Sequence, residues 1–152
     1  ALVAARNAGI AVPDQAISSG VKFFRQCQTS DGGFGYTGAD SPNAPRTAIG
    51  TTVLALARQK QSAEFKAALH AVEQFGFDET AYAHYYLYYG AQAVFHGDME
   101  LWRKWNAQNV ERLAATQNED GSWNSTHGPV FCTATALLSM ALNYRFLPIY
   151  ER

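Results

Sequence analysis

Tyr82, Tyr85, Tyr86 and Tyr89 recur at i, i+3, i+4 and i+7, with Ala93 and His96 continuing the series. On a helix this spacing gathers the side chains on one face. If that face borders a cavity, its rings can hold an apolar ligand or stabilise a cation. The same spacing more often means ordinary core packing with hydroxyls at the rim. His70, His84, His96 and His127, with Asp78, Asp98 and Cys132, are the other candidate ligands. No two histidines stand at the His-x-x-x-His spacing of a metal helix, so neither metal nor cofactor is expected. Arg46 and Thr47 follow a long loop where a helix start could hold an anion. There is no glycine-rich phosphate motif and no Ser-His-Asp arrangement. Cys27 and Cys132 are too few for a disulfide framework and read as small buried residues.

Six helical segments must position these groups. The first covers residues 13–28, with Pro13 in its first turn and Ile17, Val21, Phe24 and Gln28 on one face. A glycine-rich loop follows, and the second helix begins near Pro45 with Ile49, Thr52, Val53 and Leu56. The third starts after Ser62, a suitable N-cap, with Phe65, Leu69 and Val72 as its stripe. The fourth, which holds the tyrosines, starts after Asp78 and reaches His96, with Asp78 and Glu79 complementing the helix dipole. The fifth opens at Asp98 and carries Trp102, Trp105 and Leu113. The sixth runs from Phe131 to Arg145, and Pro148 closes it. Before all of these, residues 1–8 have the character of two helical turns ended by Gly9, so the chain is expected to have been cut from something longer.

Alternating strand patterns are scarce and alanine is abundant, which makes the class all-α. The 152 residues suit one domain, and a hydrophobic content of 47% supports a packed core. A net charge of −1 with scattered Lys and Arg excludes the basic stripe that nucleic-acid binding needs. The apolar runs fall short of the ~20 residues of a transmembrane segment. No feature marks a compartment.

The chain repeats itself. Gln28, Asp31, Gly32 and Phe34 stand 89 residues before Gln117, Asp120, Gly121 and Trp123. Downstream, Thr51-Thr52-Val53-Leu54-Ala55-Leu56 aligns with Thr135-Ala136-Leu137-Leu138-Ser139-Met140 at an offset of 84, so the first loop is expected to be about five residues longer. The unit is a helix ending in Gln, an Asp-Gly-x-aromatic turn, a loop and a second helix. Asp-Gly suits a tight turn with positive φ. The glutamine can bond exposed backbone at a helix end, and the aromatic can plug the gap between hairpins. These roles are structural, since stacked repeats need such staples. The hairpin between the two copies has the helices without the motif.

Two copies of Gln-x-x-Asp-Gly-x-aromatic, each followed by a helix of small residues, resemble the QW-type repeat of squalene and oxidosqualene cyclases. They are equally similar to the prenyltransferase/squalene-oxidase repeat of protein prenyltransferase β-subunits. The likeness covers residues 13–148 and implies a fragment of an α/α-toroid, about three helical hairpins of a partial (α/α)6 barrel. It also implies that the helices from Pro45, Thr80 and Phe131 form the inner ring. The cyclases' acidic Asp-x-Asp-Asp, the prenyltransferases' zinc-binding Asp-x-Cys and the Cys-x-Glu-Gln of thioester domains are all missing. The resemblance therefore implies a non-catalytic binding or scaffolding module, partnered by the rest of a parent chain or a second copy. The alternative is part of a cyclase- or prenyltransferase-like enzyme whose centre binds an isoprenoid or other apolar molecule, with Tyr82, Tyr85, Tyr86, Tyr89 and His96 as lining.

Overall fold

The computed structural model describes residues 1–77 and 82–144. Its elements are α1 (Leu2–Asn7), α2 (Asp14–Gln26), α3 (Ala44–Leu56), α4 (Ala63–Phe75), α5 (Ala83–Gly97), α6 (Met99–Thr116), α7 (Pro129–Met140) and the short 3₁₀ helix η1 (Ala141–Tyr144). Among the described residues the fold is all-α. No helix there is long and apolar enough to cross a membrane.

Helix ends follow local chemistry. α1 closes as a Schellman turn: Ile10 N–H reaches Ala5 O, Gly9 N–H reaches Arg6 O, and Gly9 has φ +83°. Ser62 caps α4 through Phe65 N–H, and Asp98 caps α6 through the N–H groups of Glu100 and Leu101, as the sequence predicts. Asn43 caps α3, with Pro45 in the first turn. The expected cap at Asp78 and the stop at Pro148 lie outside the described residues. The sixth helix gives way to η1 after Met140, earlier than expected.

Alternate helices form a row. α5 packs against α3 on one side and α7 on the other, while α4 and α6 lie behind and α2 rests on α3. α5 is accordingly buried from Gly90 through His96. The main core joins α5 residues Tyr86, Leu87, Ala91 and Phe95 to Val72, Trp102, Trp105, Leu113, Trp123 and Cys132. A second cluster, Cys27, Phe34, Leu54, Ala55, Phe65 and Ala68, binds α2 and α4 to α3. α3 reaches its neighbours closely because its faces are small, and its Thr51 and Thr52 hydroxyls donate to the carbonyls of Thr47 and Ala48 within the helix.

The two repeat turns are built alike. In the first, Thr29 N–H bonds Gly33 O and Gly32 N–H bonds Thr29 O; in the second, Asn118 and Ser122, then Gly121 and Asn118, pair the same way. Each is a three-residue hairpin loop with glycine at positive φ, +91° at Gly32 and +82° at Gly121. Asp31 accepts Gly33 N–H and the Thr29 hydroxyl, and Asp120 accepts both Ser122 donors. These bonds, first of all those from the Thr29 and Ser122 hydroxyls, hold both carboxyls below the usual carboxylate range. Gln28 and Gln117 donate to the turn carbonyls of Gly32 and Gly121, and Gln28 also reaches Glu64 O in the next hairpin at 2.8 Å.

After each turn the aromatic residue hands its backbone N–H to a threonine of the following helix. Phe34 N–H donates to Thr47 Oγ1 and Trp123 N–H to Thr133 Oγ1, both at 3.0 Å. This pair corrects the downstream alignment. Thr47 corresponds to Thr133, an offset of 86 rather than 84, so the first loop is three residues longer, not about five, with 13 residues from aromatic to threonine against 10. The side-chain patterns of α3 and α7 match at 84 instead because the two helices are covered on opposite flanks.

The rings are seated tightly. A Cβ added at Gly50 would lie 2.6–2.7 Å from the Phe34 ring. Gly50→Ala should therefore destabilise the chain by about 1–3 kcal/mol through overpacking, despite a helix-propensity gain of up to about 1 kcal/mol. A stabilised variant in urea unfolding would show that the ring yields freely. Trp123 is 5% exposed and its indole N–H bonds Leu113 O at 2.9 Å. Trp123→Ala should cost about 3–5 kcal/mol, and a loss within error of zero would remove its role as a staple.

Candidate functional site

The tyrosine face predicted on α5 divides. Positions i+3 and i+4 lie about 100° apart around a helix, and here they meet different surroundings. Tyr86 turns into the core, 1% exposed, with its hydroxyl on Val72 O at 3.1 Å and its ring edge-on to Phe77 and Trp105. Burial pushes its phenol up to about 12. His96 is also buried, within the stretch that α3, α4, α6 and α7 enclose. Neither belongs to an open lining, because α5 is the middle of the row and only its N-terminal end is uncovered.

At that end, Tyr82 and Tyr85 are 48% and 37% exposed. Their rings join two residues from the start of the seventh helix region, His127 and Phe131. The Tyr85 ring lies 4.6 Å from Phe131 and 5.1 Å from His127, and Tyr82 lies 6.0 Å from His127 and 6.4 Å from Tyr85. His127 and Phe131 are 5.4 Å apart. Tyr89 is half-buried beside Tyr88, with ring centroids 4.9 Å apart, and burial raises its pKa before the neighbouring phenols add to it.

These rings touch one another. A ligand ring or chain sandwiched between two aromatic faces would need them about 7 Å apart, twice the carbon contact distance. The cluster is thus a platform on which an apolar group can lie, rather than a slot. By sequence His127 is only a candidate ligand and Phe131 only a helix start; nothing in their spacing links them to Tyr82 and Tyr85, 42 to 49 residues earlier. Among the described residues, no three of His, Cys, Asp and Glu converge as a metal site would require. Cys132 is buried with its Sγ 3.1 Å from Ser125 Oγ, and Arg46 bends back onto Ser41 O of its own loop. A mixed-charge groove of about 530 Å³ between α4 and α6, lined by Lys66, His70, Glu73, Asp98, Glu100 and Lys104, lies apart from the rings.

His84 adjoins this platform half-buried, and its Nδ1 has no hydrogen-bond partner among the described residues. Burial, and then the charge of His127, hold its pKa below the ordinary 6.5. The unfolded chain therefore takes up this proton first as pH falls, so stability should drop below about pH 6.5 and level off under the folded pKa. His84→Gln should make the urea midpoint less sensitive between about pH 7.5 and about pH 5.5. An unchanged pH dependence would show that His84 titrates as it does in water.

Comparison with protein-family models, curated proteins and solved structures returns no match for this chain.

Proposed function

We propose that this chain is a helical-hairpin repeat module of the squalene cyclase and prenyltransferase β-subunit kind, acting by binding or scaffolding rather than by catalysis. The observation that supports this reading is the use of the repeat motif's polar groups. In both copies the Gln, the Asp and the backbone N–H of the aromatic bond the chain's own turn or next helix. Residues engaged in this way hold hairpins in register and present the helices as a surface.

One observation favours the second reading, an apolar or isoprenoid ligand: the half-exposed platform of Tyr82, Tyr85, His127 and Phe131. Titration with farnesol, followed by intrinsic tyrosine and tryptophan fluorescence, separates the two. The scaffold reading predicts no saturable change up to about 100 μM, the range of affinities too weak for a dedicated site. Saturation below about 10 μM that disappears in Tyr85→Ala, with the helical circular dichroism intact, would replace it with the ligand reading.

A further inference from the structure

The 86-residue register that the threonine bonds define makes α3 and α7 comparable residue by residue. On α3, Ala44, Ala48 and Thr52 are the positions covered by α5: both alanines join the core built on α5, and Thr52 Oγ1 lies 3.5 Å from Tyr89 O. They are 2%, 0% and 5% exposed. Their counterparts on α7 are Val130, Ala134 and Leu138. Val130 is 84% exposed, Ala134 is exposed, Leu138 is half-buried, and the adjoining Leu137 is 52% exposed.

The opposite flank shows the reverse. On α7, Cys132, Thr135 and Ser139 are buried, at 0%, 7% and 0% exposure. Their counterparts on α3, Arg46, Ile49 and Val53, are only half-buried. The row α3–α5–α7 thus has an exposed flank on α7 and a partly exposed one on α3, and the two are the complementary halves of the contact made twice inside the chain. α7 contains no charged residue, so its open flank lacks the polar outer face with which repeat arrays cap themselves.

We infer that the Val130–Ala134–Leu137–Leu138 flank of α7 docks a second copy of this chain through the Arg46–Ile49–Val53 flank of its α3, head to tail, continuing the internal helix row. This rests on the scaffolding reading and names its partner. The contact is heterologous, so two copies close on each other if the rotation allows and otherwise extend.

Sedimentation velocity on the whole chain between about 1 and about 100 μM tests it, the upper end sufficing for a moderate interface. The wild type should associate. Val130→Glu and Ile49→Glu should each give monomers, and an equimolar mixture of the two should recover a dimer, because one intact pair of flanks remains. A wild-type monomer throughout overturns the inference. So does association that Val130→Glu leaves unchanged, a mixture that stays monomeric, or an Ile49→Glu chain that still associates, the mark of symmetric α7–α7 pairing. If Ile49→Glu unfolds, disulfide trapping substitutes for it: Leu138→Cys chains should cross-link to Val53→Cys chains faster than either does to itself, and equal rates overturn the proposal. The two native cysteines are buried and stay out of that reaction. The farnesol titration is independent of this outcome, so loss of the docking face leaves the wider reading separately testable.

Discussion

One contact recurs in both repeat copies and the rest of the packing is arranged around it: a loop aromatic gives its backbone N–H to a threonine hydroxyl on the helix that follows. A buried N–H left without a partner is costly, comparable to a lost hydrogen bond. Phe34 and Trp123 are both buried, so Thr47 and Thr133 fix where each loop must cross its helix. Once that crossing is set, the ring has one place to go. Phe34 lies over Gly50, where no side chain larger than hydrogen fits without displacement. Trp123 closes on Leu113 of α6, the helix that precedes its loop. The glycine turn and the glutamine are then the means of bringing the chain round to this contact within three residues of loop.

The central helix sets the second constraint. α5 is flanked on both sides and backed by α4 and α6, so its C-terminal half has no solvent face to give to polar groups. Small residues there, Gly90, Ala91 and Ala93, let the neighbouring helices approach. Polar groups that do enter the interior are paired in part: Asn109 Nδ2 donates to Ser139 Oγ at 2.9 Å and ties α6 to α7, while Asn109 Oδ1 has no hydrogen-bond partner among the described residues. The exposed aromatic residues of this helix region, Tyr82 and Tyr85, lie at the N-terminal end of α5, where the row is less complete. The platform and the staples therefore come from the same arrangement: what cannot be buried in the middle of the row gathers at its rim.

Much of the fold was legible in the sequence because it depends on local chemistry. Ser62, Asp98 and Gly9 mark helix ends through bonds to residues two or three positions away. The Asp-Gly turns were legible for the same reason, since glycine at positive φ leaves a direct trace. What failed depends on tertiary neighbours. The offset of 84 follows the covered positions on α3 and α7, which are opposite flanks, whereas the true register is carried by threonine hydroxyls whose partners lie 10 or 13 residues back. Tyr85 and Tyr86 are adjacent and chemically identical, and only the presence of α7 beside one and α4 and α6 beside the other separates a surface ring from a core ring. His127 and Phe131 could not be joined to the tyrosines by any spacing rule, because the contact is made between helices.

Amide hydrogen exchange followed by NMR tests the threonine contact most directly. The N–H groups of Phe34 and Trp123 should be protected far beyond their exposed loop neighbours Tyr36 and Asn124, and Thr47→Val or Thr133→Val should remove protection only in its own copy. Exchange of either amide as fast as the open loop in the unaltered chain would contradict the account.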